Sequence, residues 1–260
     1  MHRSLSYIDP QANLAKNVVV EPFVTIEKNV EIGSGTWIGS NVTIMEGARI
    51  GKNCEIFPGA VISAIPQDLK FEGEDSLVII GDNTVIRECA TINRATKVTG
   101  KTIVGNNCLI MAYAHIAHDC IIGDNSIIVN NVALGGHVEI GEYAIVGGLS
   151  AIHQFVKIGR HTMISGGSLV RKDVPPFVKA GREPLSFVGI NSIGLRRRSF
   201  TDEEIAEIQD IYRVLYQRNF NNTQAINKIE IDFKVSKNRD EIIDFVKNSG
   251  RGIMRGYNQK

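Results

Sequence analysis

Branched aliphatic residues recur every six positions through about two thirds of this chain, and few folds can accept that spacing. Stepping from Ile8 lands on Leu14, Val20, Ile26, Ile32, Ile38, Ile44, Ile50, Ile56 and Ile62, then, after a gap, on Ile80, Ile86 and Ile92. A second gap follows. The step then runs unbroken from Val104 through Ile110, Ile116, Ile122, Ile128, Leu134, Ile140, Val146, Ile152, Ile158 and Ile164 to Val170. A period of six fits neither the 3.6 of an amphipathic helix nor the simple alternation of a half-buried strand. It fits a solenoid whose coils bury a continuous column of aliphatic side chains.

The other hexad positions say how each coil turns. Four residues after the aliphatic stands a small residue, as in Ala48, Ala60, Ala114, Ser126 and Thr162. Cys54, Cys108 and Cys120 fall there too and read as core residues; with no CxxC pair among four cysteines, neither a disulfide framework nor a cysteine metal site is expected. Three residues after the aliphatic is often Asn (Asn17, Asn29, Asn41, Asn53, Asn83, Asn107, Asn125, Asn131), which tolerates the left-handed conformation of a tight corner. Each hexad is therefore a short strand plus a corner, and three close a triangular coil of eighteen residues. The fold class expected is an all-β parallel β-helix over residues 1–188, followed by a small α-helical C-terminal domain over 189–260. Residues 63–79 and 93–103 break the rhythm with Pro, Gly and charges and should project as loops. Past Val174-Pro175-Pro176, a capping box at Thr201 to Glu204 opens a helix, and further helices are expected near 223–233 and 238–248.

Lys plus Arg (29) nearly balances Asp plus Glu (28), which removes a whole-chain electrostatic case for nucleic acid or membrane binding. No long apolar run and no secretion-signal pattern at Met1 to Pro10 are present, so a cytoplasmic location is expected.

Chemistry is suggested by the histidines. Residues eighteen apart should stack on one side of adjacent coils, about 4.8 Å apart. The hexads at Ile116, Leu134 and Ile152 then bring His118 and Asp119, Gly136 and His137, and His153 and Gln154 onto one wall, with His115 just before its corner. His2 and His161 do not join them. An imidazole beside a carboxylate suits a general base near neutral pH, and a glycine one coil above lets a carbonyl oxygen approach a backbone N–H.

These residues carry a resemblance to the hexapeptide-repeat acyltransferases, and within them to the UDP-N-acetylglucosamine 3-O-acyltransferase family. It covers the repeats and much of the tail. The matching strings are Gln67-Asp68-Leu69-Lys70, Ala114 to Cys120, Gly136-His137, His153-Gln154-Phe155, Asp173 to Pro176, Gly194 to Arg198 and Arg251-Gly252-Ile253. The resemblance implies the left-handed sense of the helix, a homotrimer, and transfer of a 3-hydroxyacyl group from acyl carrier protein to the sugar 3-hydroxyl of UDP-GlcNAc, first step of lipid A synthesis. His118 would be the general base, Asp119 its orienting carboxylate and Gly136 the oxyanion N–H. His115, His137, His153 and Gln154 would hold the sugar and acyl groups. Asp68 and Lys70, beside Gln67, would reach in from a neighbouring subunit. Asn191, Arg197 and Arg198 would bind the nucleotide, Gly166 would set acyl length, and no cofactor or metal is implied. The basic segments Arg196 to Arg198 or Arg171-Lys172 would attract the acidic carrier protein.

The chain departs from the family at Ile193, where a carboxylate is usual in the nucleotide-contact stretch, and at Asn93, where the second loop would begin with His. Gly166 has no side chain, which implies a long acyl group. Three other readings compete. The N-acyltransferases of the same pathway carry a domain before their repeats, whereas here the rhythm begins at Ile8. A zinc hydratase could use three histidines across adjacent coils, but leaves the helical tail and the Gln67 to Lys70 segment without a role. A non-catalytic scaffold leaves the histidine wall unexplained.

Overall fold

The computed structural model describes residues 5–217 and 220–256; His2 lies outside them. Successive hexads join three parallel sheets in turn, so each short strand pairs with the corresponding strand of the next coil. The first face runs from Tyr7–Ile8 to Leu169–Val170, the second from Asn13–Leu14 to Lys157–Ile158, and the third from Val19–Val20 through Met163–Ile164. In the unbroken stretch the register is eighteen: Ile116 pairs with Leu134, Leu134 with Ile152, and Ile152 with Val170. The result is a left-handed parallel β-helix with a small helical C-terminal part. The hexad aliphatics from Ile26 onward point inward and are buried, each contributing about 1.5–3 kcal/mol.

From Phe23 to Gly167 the regular corners take a left-handed residue three positions after the aliphatic whatever its side chain. Asn29, Asn41, Asn53, Asn83, Asn107, Asn125 and Asn131 all have positive φ, but so do Cys89, Asp119, His137, Tyr143, Phe155 and His161. Asn17 does not. Close stacking of coils leaves no room at some positions, such as Gly123, where a Cβ would stand 2.6 Å from the Glu142 backbone nitrogen.

We call the edge between first and second faces edge I, between second and third edge II, and between third and first edge III. Both projecting loops leave from edge I. They are shorter than expected, spanning 65–76 and 94–100, because Val61–Ala64, Leu77–Ile80, Thr91–Asn93 and Lys101–Val104 extend the strands into them. The loops are tied to each other: Arg94 N–H donates to Ala64 O at 2.8 Å, Asn93 Nδ2 to Ile65 O at 2.5 Å, and Lys97 Nζ pairs with Glu72 at 3.1 Å.

Beyond Val170 the third face continues past the last hexad, and the tail, where helices alone were expected, adds a strand to it. Val178–Gly181 and Ser186–Ile190 form an antiparallel hairpin on it, and Arg255–Gly256 returns to pair with the hairpin's second strand. The expected boundary at 188/189 falls inside that strand. The helices are α1 (Ser192–Arg197), α2 (Asp202–Gln217), α3 (Asn222–Asp232) and α4 (Lys237–Lys247). Thr201 and Glu204 form the expected capping box, each accepting the other's backbone N–H at 3.2 and 2.8 Å. Tyr212 Oη donates to Pro176 O at 2.6 Å, and Arg160 pairs with Glu241 at 2.7 Å, fastening α2 and α4 to the β-helix. Among the described residues no helix is long and apolar enough to cross a membrane.

Candidate active site

Edge I gathers the predicted wall. His118, Gly136 and Gln154 occupy its second corner position on three successive coils, and Asp119, His137 and Phe155 its third. His118 Nδ1 lies 2.7 Å from Asp119 Oδ2, and His137 Nε2 lies 3.7 Å from the same oxygen. The His137 ring meets His118 edge-on at 5.3 Å and stacks on Phe155 at 4.6 Å. Asp119 is wholly buried at its side chain, whereas His118 keeps 14% exposure.

Burial alone would raise the Asp119 pKa, but hydrogen bonds from Thr99, His118 and Thr96 reverse this and hold the carboxyl below its ordinary range. Thr96 gives its N–H at 3.1 Å and its hydroxyl at 2.8 Å to Oδ2; Thr99 gives its N–H at 3.3 Å and its hydroxyl to Oδ1. An ionised carboxylate can only accept. His118 must therefore donate through Nδ1–H, so that the neutral form of the ring leaves Nε2 bare, and that atom faces Gly136: a Cβ there would stand 2.6 Å from it. The Gly136 N–H has no acceptor among the described residues, because the ladder uses Gly135 N–H toward Ile152 O and His137 N–H toward His118 O. A basic nitrogen and an open N–H donor thus share one corner of the prism.

His118, Asp119 and His137 place three ligand atoms within 4.8 Å of one another, close enough for a metal ion. Five donors already crowd the lone pairs of Asp119, so the trio lacks the free acceptor capacity of a metal site.

His115 sits on the first face with Nδ1 2.7 Å from Thr91 Oγ1; burial, then neighbouring His118, lowers its pKa. His153 and Gln154 are exposed on the coil above, with His153 Nδ1 turned onto Gln154 O at 3.0 Å.

The remaining expected residues lie elsewhere. Gln67 and Lys70 are exposed on the first loop, Asp68 holds that loop's turn by accepting the Lys70 N–H at 3.0 Å, and none of the three hydrogen-bonds to the wall. Asn191 is buried: it caps α1 by accepting the Gly194 N–H at 3.3 Å and donates to His161 O at 2.9 Å. Arg197 is exposed, and the Arg198 guanidinium lies 4.6 Å over the Tyr143 ring at edge II. Ile193 is exposed beside them. Gly166 is at edge III, stacked on Gly148, whose carbonyl oxygen would lie 3.0 Å from a Cβ. Sequence reasoning missed Thr91, Thr96, Thr99 and Tyr143; Thr91 and Tyr143 hold positions in the repeat, whereas nothing in the sequence marks Thr96 and Thr99.

This geometry has relatives. The model of the UDP N-acetylglucosamine O-acyltransferase domain 2 matches residues 173–254, and that of the bacterial transferase hexapeptide matches 29–64 and 101–136. An acyl-[acyl-carrier-protein]–UDP-N-acetylglucosamine O-acyltransferase of Chlorobaculum parvum is 55% identical over 204 residues, 76% of each chain. The chain belongs to that family. A family member from Aquifex aeolicus is 51% identical over 198 residues, 76% of each chain. Among solved structures, the UDP-N-acetylglucosamine acyltransferase of Bacteroides fragilis superposes with a TM-score of 0.96 at 48% identity, covering 98% of this chain and 100% of that one. Membership in the O-acyltransferase family sets aside the hydratase and scaffold readings of the histidine wall.

Proposed function

We propose that the protein transfers a 3-hydroxyacyl group from acyl carrier protein to the 3-hydroxyl of UDP-N-acetylglucosamine by direct attack. The observation that carries the chemistry is the bare Nε2 of His118, backed by Asp119 and facing Gly136. His118 Nε2 takes the proton as the sugar oxygen bonds to the thioester carbon. The Gly136 N–H donates to the oxyanion. Collapse expels the carrier thiolate, which recovers the proton from the imidazolium. His137, His115, His153 and Gln154 line the approach and hold the substrates.

We further propose a homotrimer about an axis along edge III. The outward positions of the second face include the charged pairs Glu31 with Arg49 and Glu139 with Lys157. Those of the first and third faces include Ala133, Ala151, Leu169, Leu109, Ile127, Ile145 and Met163. Edge III between them exposes Phe23, Tyr113 and Leu149 (61%, 62% and 72%). Assembly through that edge makes the first face of one subunit and the third face of the next the walls of a cleft. His118 then lies on one lip, and the neighbour's edge II with Arg197 and Arg198 on the other. That reading accounts for the separation of the base from the arginine fork within one chain. Gly166 at the inner edge leaves room for a long acyl chain, and loop 65–76 brings Asp68 and Lys70 to the next subunit.

The decisive experiment offers purified protein a panel of 3-hydroxyacyl carrier proteins with UDP-GlcNAc or its 3-amino analogue and reads products by mass spectrometry. Formation of the O-acylated sugar nucleotide supports the proposal; no transfer from any donor to either acceptor overturns it.

A further inference from the structure

The second projecting loop turns back onto edge I instead of out to solvent. Its Thr96 and Thr99 give four donors to Asp119, two of them hydroxyls, and from the other side Thr102 Oγ1 accepts the Asp119 N–H at 2.8 Å. The titratable groups facing the carboxylate are His118 beside it, His137 one coil above, and the Cys120 thiol, which burial pushes up to about 12; His115 in turn faces His118. Among the described residues no Lys or Arg forms an ion pair with it. A buried carboxylate without a cation ordinarily keeps its proton. Protonated, it could donate to His118 Nδ1, and the imidazole would then carry its hydrogen on Nε2, where it cannot accept one.

We infer that Thr96 and Thr99 are positioning residues for acyl transfer, their hydroxyls filling the Asp119 carboxylate so that His118 is held in the one tautomer whose Nε2 is free. The inference rests on His118 being the base. It gives the second loop a task that the periodic part of the chain cannot perform, since no residue of the hexads supplies these donors.

Valine keeps the shape and the N–H of threonine and removes only the hydroxyl. The full-length T96V, T99V and double variants, with T96S, T99S and H118A beside them, are assayed from pH 5 to 9 with UDP-GlcNAc and the preferred 3-hydroxyacyl carrier protein. The double valine variant should lose about tenfold or more in kcat, and the KM for UDP-GlcNAc should change less than about twofold. The acid limb of its kcat/KM profile should move upward, because losing donors makes both Asp119 and His118 easier to protonate; the serine variants should restore it. Valine variants with a wild-type profile overturn the inference, as does a rate loss with the acid limb unmoved. If H118A keeps the wild-type rate and limb, the base itself is wrongly assigned. If H118A is inactive while the valine variants match wild type, only the positioning role fails.

Discussion

His118 and Asp119 are consecutive in the chain, yet their side chains meet at 2.7 Å between Nδ1 and Oδ2. Neighbours in an extended strand point to opposite faces. Asp119 escapes that rule because it is the left-handed residue of its corner, with φ at +61°, so its carboxyl swings back beside the imidazole. The corner geometry of the solenoid is thus what assembles the dyad.

Removing the proposed base should therefore leave the architecture untouched. His118→Ala is expected to lose about 10²- to 10⁴-fold in kcat, with an unchanged melting temperature. Asp119→Ala should lose less rate but more stability, because the Thr96 and Thr99 donors would be left unpaired at about 1–3 kcal/mol for each buried group. Steady-state kinetics and thermal melts of both variants check this; a His118→Ala enzyme retaining more than a tenth of the rate would move the proton transfer to His115 or His137.

Gly136→Ala makes a sharper test of the shared corner. The new methyl would sit 2.5 Å from His118 Cε1, so the ring must shift. A displacement near 1 Å can cost about 10²-fold in rate. We expect a folded, inactive protein, and a G136A variant with wild-type turnover would show that the corner does not hold the reacting atoms.

The Arg198 guanidinium lies 4.6 Å over the Tyr143 ring, a contact that a delocalised guanidinium makes more often than an ammonium. Arg198→Ala should raise the apparent KM for UDP-GlcNAc about ten- to hundredfold, as loss of a charged hydrogen bond of about 1.5–3 kcal/mol implies. Arg198→Lys should restore little of it. Unchanged constants in both variants would return Arg198 to a solvated surface charge.

Edge III gives a test of assembly that does not touch the histidines. The wild-type chain of 28.6 kDa should scatter light as a particle of three times that mass. Leu149→Glu, which places a charge on the proposed axis, should dissociate it and abolish activity together. A monomeric wild-type protein at micromolar concentration, or an active monomeric variant, refutes the shared cleft.

His161 supplies a pH dependence unrelated to catalysis. Burial, then Arg160 and Arg198, lower its pKa from 6.5 to about 4. Between those values the unfolded chain binds a proton that the folded one refuses, so stability falls as pH drops from 6.5 toward 4, by on the order of 3 kcal/mol in full. Above 6.5 the group contributes no slope. His161→Phe, which keeps the stack with Tyr143, should remove that part of the slope in denaturant melts across this range; an unchanged slope would assign it to other groups.

The solenoid was legible in the sequence because its period repeats, and repetition also placed His118, Gly136 and Gln154 in one column. What the repeat could not reach was anything outside it. Thr96 and Thr99 belong to a loop without periodicity, so no register argument could bring them onto Asp119. The hairpin Val178–Gly181 and Ser186–Ile190 was missed because two short strands next to prolines carry no hexad and gain their pairing only from the open end of the third face. Asn191 shows the opposite limit: its family motif suggests ligand contact, while its side chain here closes α1 and holds the His161 carbonyl.

The eighteen-residue register has a consequence for how such a chain can change length. Deleting one residue from a regular coil would turn every later side chain out of phase, core aliphatics outward and corner residues into the ladder, much as a lost base shifts a reading frame. Whole turns can be added or lost without that penalty, but a turn inserted between Asp119 and Gly135 would part His118 from Gly136. Edge I escapes the constraint only where the two loops leave it, since 65–76 and 94–100 lie outside the count. Length variation compatible with activity should therefore collect in those two segments, outside Gln67 to Lys70 and Thr96 to Thr99, beside the very corner that has no slack of its own.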